Sequence, residues 1–187
     1  MPNTDTEVLM AGFGGQGMLL SGKILAYAAM YQGLEVSWLP SYGPEMRGGT
    51  ANVTVCISEK QVASPYIAQP RALLTMNQPS LEKFGPRVRP GGLIIINSSL
   101  VPIKSDRADC RVIYVAANDL AAKVGTGRAA NLVMLGVYVG LSGVVDAKVT
   151  EKIIEKEFSD KVKFIPANVA AFRAGLEEGV NARATNR

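Results

Sequence analysis

Apolar and polar positions along this chain follow two rhythms, and the rhythm changes at each turn signal. Val8-Leu9-Met10-Ala11 is a short apolar run that meets the glycine cluster Gly12-Phe13-Gly14-Gly15-Gln16-Gly17. That junction predicts a strand followed by a tight turn. From Gly15 to about Gln32, Leu19, Leu20, Ile24, Leu25 and Ala28 recur at helical spacing, and Gly33 closes the helix. Glu35 to Leu39 predicts a second strand and Pro40 to Gly49 a loop. In Thr50 to Ser58, Ala51, Val53, Val55 and Ile57 alternate with Thr50, Asn52, Thr54 and Cys56, the period of a half-buried strand.

Arg71 to Met76 predicts a further strand, and Pro79 suits the first turn of a short helix after it. Leu93 to Asn97 is apolar without alternation, which predicts a strand covered on both faces, and Arg111 to Ala116 predicts another. Helical patterns then take over at Asp119 to Val124, Ala129 to Leu141, Asp146 to Phe158 with Asp146 as N-cap, and Asn168 to about Glu178. Strands alternating with helices over the first two thirds predict a three-layer α/β/α fold with a mostly parallel, Rossmann-like sheet. The length of 187 residues suits a single domain, with a polar, frayed tail over Asn181 to Arg187.

Composition narrows the chemistry more than the pattern does. The chain has no histidine and two cysteines, Cys56 and Cys110. Without histidine there is no Ser-His-Asp arrangement, no histidine general base and no ordinary zinc site. Two cysteines cannot ligate an iron–sulfur cluster that takes four, so they read as small buried hydrophobes. Lys and Arg total 20 against 16 Asp and Glu, without a block of like charge, and aromatics are 6%. Neither value points to nucleic acid. The start of the chain lacks a secretory signal, and the apolar run Leu132 to Val145 is too short and too interrupted to span a membrane. These features predict a cytoplasmic protein.

Three readings compete for the glycine turn. A dinucleotide-binding half would use Gly12, Gly14 and Gly17, yet its ribose-binding acid should close the second strand, and Glu35 opens it. A P-loop matches Gly17 to Lys23, yet Ile24 stands where a magnesium-binding hydroxyl is required. An anion pocket of another kind, or a purely structural turn, remains, and spacing alone does not separate the two. The Gln16 amide reaches either to a ligand or neighbouring loop, or caps its own helix. A second unusual stretch, Ser41-Tyr42-Gly43-Pro44-Glu45-Met46-Arg47-Gly48-Gly49, follows the second strand and is placed to face the glycine turn. Arg47 suits a bidentate carboxylate or phosphate contact, or a local ion pair with Glu45. Asn77 is either a helix cap or part of the same crevice.

Gly12 to Gly17, Ser41 to Thr50 and Met76 to Leu81, in this order and spacing, resemble the gamma subunit of 2-oxoacid:ferredoxin oxidoreductases. The likeness is nearest to the 2-oxoglutarate type, and in fused relatives to domain III of pyruvate:ferredoxin oxidoreductase. It covers about Thr6 to Glu178. The resemblance implies a part in oxidative decarboxylation of a 2-oxoacid with coenzyme A, giving acyl-CoA, carbon dioxide and reduced ferredoxin. It implies that thiamine diphosphate sits between alpha and beta subunits, and that iron–sulfur clusters belong to the beta or a ferredoxin-like subunit. It assigns this chain no catalytic residue, no metal and no tightly bound cofactor, and leaves the isolated chain inactive. Residues Gly12, Gly14, Gly15, Gln16, Gly17, Tyr42, Gly43, Glu45, Arg47, Gly48, Gly49 and Asn77 are the candidates for a crevice that meets the thiamine subunits and coenzyme A. A stand-alone NAD(P)-dependent dehydrogenase is the alternative.

Overall fold

The structure, a computed structural model, describes residues 6–42, 50–62 and 64–185. Six strands form one sheet in the order β2-β3-β1-β4-β5-β6: β1 Thr6–Phe13, β2 Glu35–Tyr42, β3 Thr50–Ser58, β4 Ala72–Thr75, β5 Leu93–Asn97 and β6 Arg111–Val115. Pairing is parallel from β1 through β4 and β5 to β6, and antiparallel at β1–β3 and β2–β3. Five strands therefore run one way and β3 runs against them, so the mostly parallel α/β sheet holds. The reversal follows from chain length. A parallel crossover needs about a dozen residues or more, and only residues 43–49 separate β2 from β3.

β2 runs through Pro40 to Tyr42, past the expected end at Leu39. It is an edge strand, where a residue without an N–H is tolerated. The helices are α1 Met18–Tyr31, α2 Gln78–Phe84, α3 Ala117–Lys123, α4 Ala130–Ser142, α5 Ala147–Glu157 and α6 Ile165–Thr185. Asp146 caps α5 as expected, its carboxylate accepting the Val149 N–H at 3.0 Å. α6 continues through the polar end to Thr185. There Arg111 Nη2 donates to the Ala182 carbonyl at 2.6 Å, which ties the last turn of α6 to the sheet.

The two faces of the sheet are covered unequally. Val8, Met10, Val53, Ile57, Leu74 and Ile95 face the large core shared by α1, α3, α4, α5 and α6. Leu9, Ala11, Leu73, Ile94 and Ile96 face the smaller core under α2. Period-two alternation within each strand sends neighbours to opposite layers, which gives the three-layer α/β/α arrangement. α4 is the hub of the large core, buried from Ala130 to Leu141. Gly136 and Gly140 on α4 meet Gly175 and Gly179 on α6, and a Cβ on any of the four would run into the backbone of the other helix. These two helices are packed as closely as glycine allows.

Candidate functional site

The carboxyl ends of β1, β2, β4, β5 and β6 lie along one edge, where ligands bind in open α/β sheets. The chain leaves β1 for β2 through α1 on one face, and leaves β4 for β5 through α2 on the other. The strand direction of travel therefore switches between β1 and β4. The glycine turn and Asn77 stand on either side of that point.

The turn folds back over itself through Gln16. Gln16 Oε1 accepts the Phe13 N–H at 2.6 Å and the Asn77 Nδ2 donor at 3.3 Å, while Gln16 Nε2 donates to the Met76 carbonyl at 3.3 Å. The Met76 N–H in turn donates to the Ala11 carbonyl at 2.9 Å. Gln16 thus closes its own turn and clamps it to the segment after β4. The switch point is filled by a protein carboxamide. Gly12 is needed beneath it, because a Cβ there would stand 2.6 Å from Gln16 Oε1. Gly17 has φ 77°, in the left-handed region, and a Cβ there would stand 2.6 Å from Asn131 Nδ2.

Asn131, in the first turn of α4, donates through Nδ2 to the Gly17 carbonyl and to Ser21 Oγ, both at 3.1 Å. The start of α1 is thereby tied to the start of α4. Among the described residues no side chain caps α1, and Gly15, with φ 99°, is exposed with open space about it. What the turn still offers to an outside group is the Gly15 side of its backbone and the positive end of α1.

Asn77 takes the helix-cap role and also bonds the glycine turn. Its Oδ1 accepts the Ser80 N–H at 2.8 Å and so caps α2, while its Nδ2 holds Gln16. Two residues that sequence reasoning passed over extend the row of carboxamides. Asn97, at the end of β5 and fully buried, donates to Asn118 Oδ1 at 2.8 Å and accepts the Ala117 N–H at 3.2 Å. The signal was available, since Asn closes an otherwise apolar strand there.

Of the second candidate stretch, Gly43, Glu45, Arg47, Gly48 and Gly49 lie outside the described residues, and Tyr42 is described as the last residue of β2. The register shows where that stretch is anchored. Tyr42 pairs with Ala51, Ala51 also pairs with Gly12, and Thr50 pairs with Phe13. Thr50 is therefore held beside the glycine turn, and Tyr42 one strand further out. From Ser41 and Asn52 a groove of about 380 Å³ continues down the uncovered face of β2 and β3, past Leu39 and Thr54 to Phe84 and Tyr66.

Neither common nucleotide motif is assembled. Glu35 opens β2 at the far edge of the sheet, and the strand between β2 and β1 is β3, so among the described residues no carboxylate sits beside the turn as a ribose-binding acid would. Lys23 points away from the turn into an ion pair with Glu157 Oε2 at 2.8 Å, a hydrogen bond that raises the lysine pKa. The Cys56 thiol is buried, and burial pushes its pKa up, the wrong direction for a nucleophile. Among the described residues no three His, Cys, Asp or Glu side chains gather as a metal site, and no helix is long and apolar enough to cross a membrane.

Comparison with known proteins matches residues 7–178 to the family described as pyruvate ferredoxin/flavodoxin oxidoreductase. The chain is 42% identical over 175 residues to the ketoisovalerate oxidoreductase subunit VorA of Methanothermobacter marburgensis, a match that covers 92% of this chain and 36% of VorA. It spans little more than a third of that relative's length. It is 33% identical over 178 residues to the 2-oxoglutarate synthase subunit KorC of the same organism, covering 91% of this chain and 95% of KorC. Among solved structures, the keto/oxoacid ferredoxin oxidoreductase gamma subunit from Geobacter sulfurreducens superposes with a TM-score of 0.81 at 32% identity, covering 94% of this chain and 99% of that one.

Proposed function

The chain belongs to the pyruvate ferredoxin/flavodoxin oxidoreductase family, and we propose that it acts as the gamma component of a 2-oxoacid:ferredoxin oxidoreductase. In this reading the assembled enzyme oxidatively decarboxylates a 2-oxoacid with coenzyme A to acyl-CoA, carbon dioxide and reduced ferredoxin. Thiamine diphosphate and iron–sulfur clusters supply the carbanion and electron-transfer chemistry from alpha, beta and ferredoxin-like partner subunits. The chain's own part is to present a rigid carboxyl edge to those partners and to the coenzyme.

The observation that carries this reading is the register that sets Thr50 beside, and Tyr42 one strand further from, a glycine turn clamped to Asn77. The described ends of the second motif, Tyr42 and Thr50, stand at the same edge of the sheet as the first and third motifs. Because Gln16 fills the switch point, the coenzyme is not drawn into the sheet as a dinucleotide would be. It rests against the outer side of the turn, at Gly15 and the N–H groups opening α1, and Arg47 lies in sequence between the strand ends Tyr42 and Thr50. Its guanidinium is of a kind that suits the coenzyme's phosphates.

Two substrates have support. A branched-chain 2-oxoacid is favoured by the 42% identity to VorA, against 33% to KorC. The 2-oxoglutarate reading is supported by the matching length of KorC, 95% of which is covered. The test is reconstitution with the thiamine-binding and ferredoxin-like partner chains, followed by coenzyme A-dependent reduction of ferredoxin with ketoisovalerate and with 2-oxoglutarate. Arg47→Ala and Gly14→Val should weaken either the apparent coenzyme A affinity or assembly. If both variants leave both measurements unchanged, or if the isolated chain quenches Trp38 fluorescence on binding NAD, the reading is wrong.

A further inference from the structure

The amino edge of the sheet, opposite the glycine turn, gathers positive charge that the described residues neutralise only in part. Arg71 immediately precedes β4, Arg89 precedes β5 and Arg111 opens β6, so three arginines follow one another along that edge. Arg111 is engaged with the Ala182 carbonyl. Arg89 Nη2 binds Glu7 Oε2 at 3.1 Å. Arg71 forms no ion pair or side-chain hydrogen bond among the described residues, and its charge is near enough to Arg89 to oppose that residue's protonation, second to burial.

Arg71, Arg89 and Glu7 line one open cavity of about 390 Å³, bordered also by Gln61, Ser64 and Tyr66. Among the described residues, two guanidinium groups facing one carboxylate leave the cavity with an excess positive charge. Its volume falls at the small end of the range for ligand pockets.

We propose that this cavity binds a small anion bearing a phosphate or carboxylate group, held by Arg71 and shared with Arg89. A planar guanidinium makes paired, charge-assisted hydrogen bonds to either group. An anion between Arg71 and Arg89 would also relieve their mutual repulsion. Glu7 competes with the ligand for Arg89, which sets the site at modest affinity in the native chain.

The test is calorimetric titration of the full chain with inorganic phosphate, and separately with succinate, against chloride at matched ionic strength. Saturable binding of either anion is expected. Arg71→Gln should weaken it about tenfold or more, the loss of one charge-assisted pair. Glu7→Gln should tighten it several-fold, a gain that misfolding cannot produce, so this variant decides the matter if Arg71→Gln fails to fold. Equal heats with chloride would overturn the proposal, as would unchanged affinity in Arg71→Gln and Glu7→Gln. Loss of phosphate binding in Arg47→Gln with Arg71→Gln unaffected would move the anion to the glycine edge and overturn it too. So would a free chain that ignores both anions while Arg71→Gln blocks assembly, because Arg71 would then be a contact for an acidic partner.

Discussion

Gly140→Ala places one methyl group between α4 and α6, and the structure predicts a loss of stability where helix propensity alone predicts a gain. The new Cβ would stand 2.5 Å from the Leu176 carbonyl oxygen and 2.9 Å from the Val180 nitrogen. Carbon–oxygen contacts settle at about 3.3–3.6 Å, so α6 must retreat by about 0.8 Å. The obstacle is backbone and cannot rotate aside. Overpacking of a tight interior costs about 1–3 kcal/mol, and a rigid obstacle belongs at the upper end. Alanine over glycine inside a helix returns about 0.8–1 kcal/mol. The net expectation is a loss of about 2 kcal/mol, or about 4–8 °C in Tm for a chain of this size. Urea denaturation of the purified chain measures it, with Gly127→Ala, which has open space around it, as a control that should stay within about 0.5 kcal/mol. Adding Gly136→Ala should cost less than it does alone, because one retreat of α6 opens both positions. A Gly140→Ala protein as stable as the parent, or more stable, would refute the close approach of the two helices.

Two further measurements probe the site and the core. Gln16→Ala removes the clamp on the glycine turn and should cost about 1–2 kcal/mol for three partly solvated hydrogen bonds. In that background Gly12→Ala should lose about 1 kcal/mol less than in the parent, since the obstructing Oε1 is gone; strict additivity in the thermal melts would contradict the clamp. Tyr138, wholly buried and bonded to Thr6 Oγ1 at 3.3 Å, has its pKa pushed up from 10 to about 12 by burial. Its raised folded pKa contributes stability that is fully present below pH 10 and is lost as pH rises toward 12. Between about pH 9 and about pH 11 the parent should lose about 1.4 kcal/mol more than Tyr138→Phe in urea midpoints, and equal losses would contradict the buried hydroxyl.

Legibility differed from element to element for physical reasons. β3 and β5 were readable to the residue, because alternation in one and an unbroken apolar run in the other report local burial. The Asp146 cap was readable because an N-cap is settled within a few residues of chain. β2 was cut short at Leu39, since Pro40 reads as a breaker unless the strand is known to lie at an edge. Neighbouring strands in space are a separate matter from neighbouring strands in sequence. The pattern showed Thr50 to Ser58 as a strand without showing that it inserts between β1 and β2 in the opposite direction.

The sequence by itself determined the α/β class, the strand–glycine–helix junction at Gly12 to Gly17, and the exclusion of histidine chemistry, because composition and local periodicity are properties of the chain. Its three motifs also pointed to the family. Only the tertiary structure decided what the glycines are for. Gly12 makes room for a carboxamide and Gly17 for Asn131, while Gly136, Gly140, Gly175 and Gly179 let two helices touch backbone to backbone. A missing side chain carries no record of what fills its place. The same holds for Arg71 and Arg89, separated by 17 residues that say nothing of charge, and brought to one cavity by parallel strands that begin at the same edge.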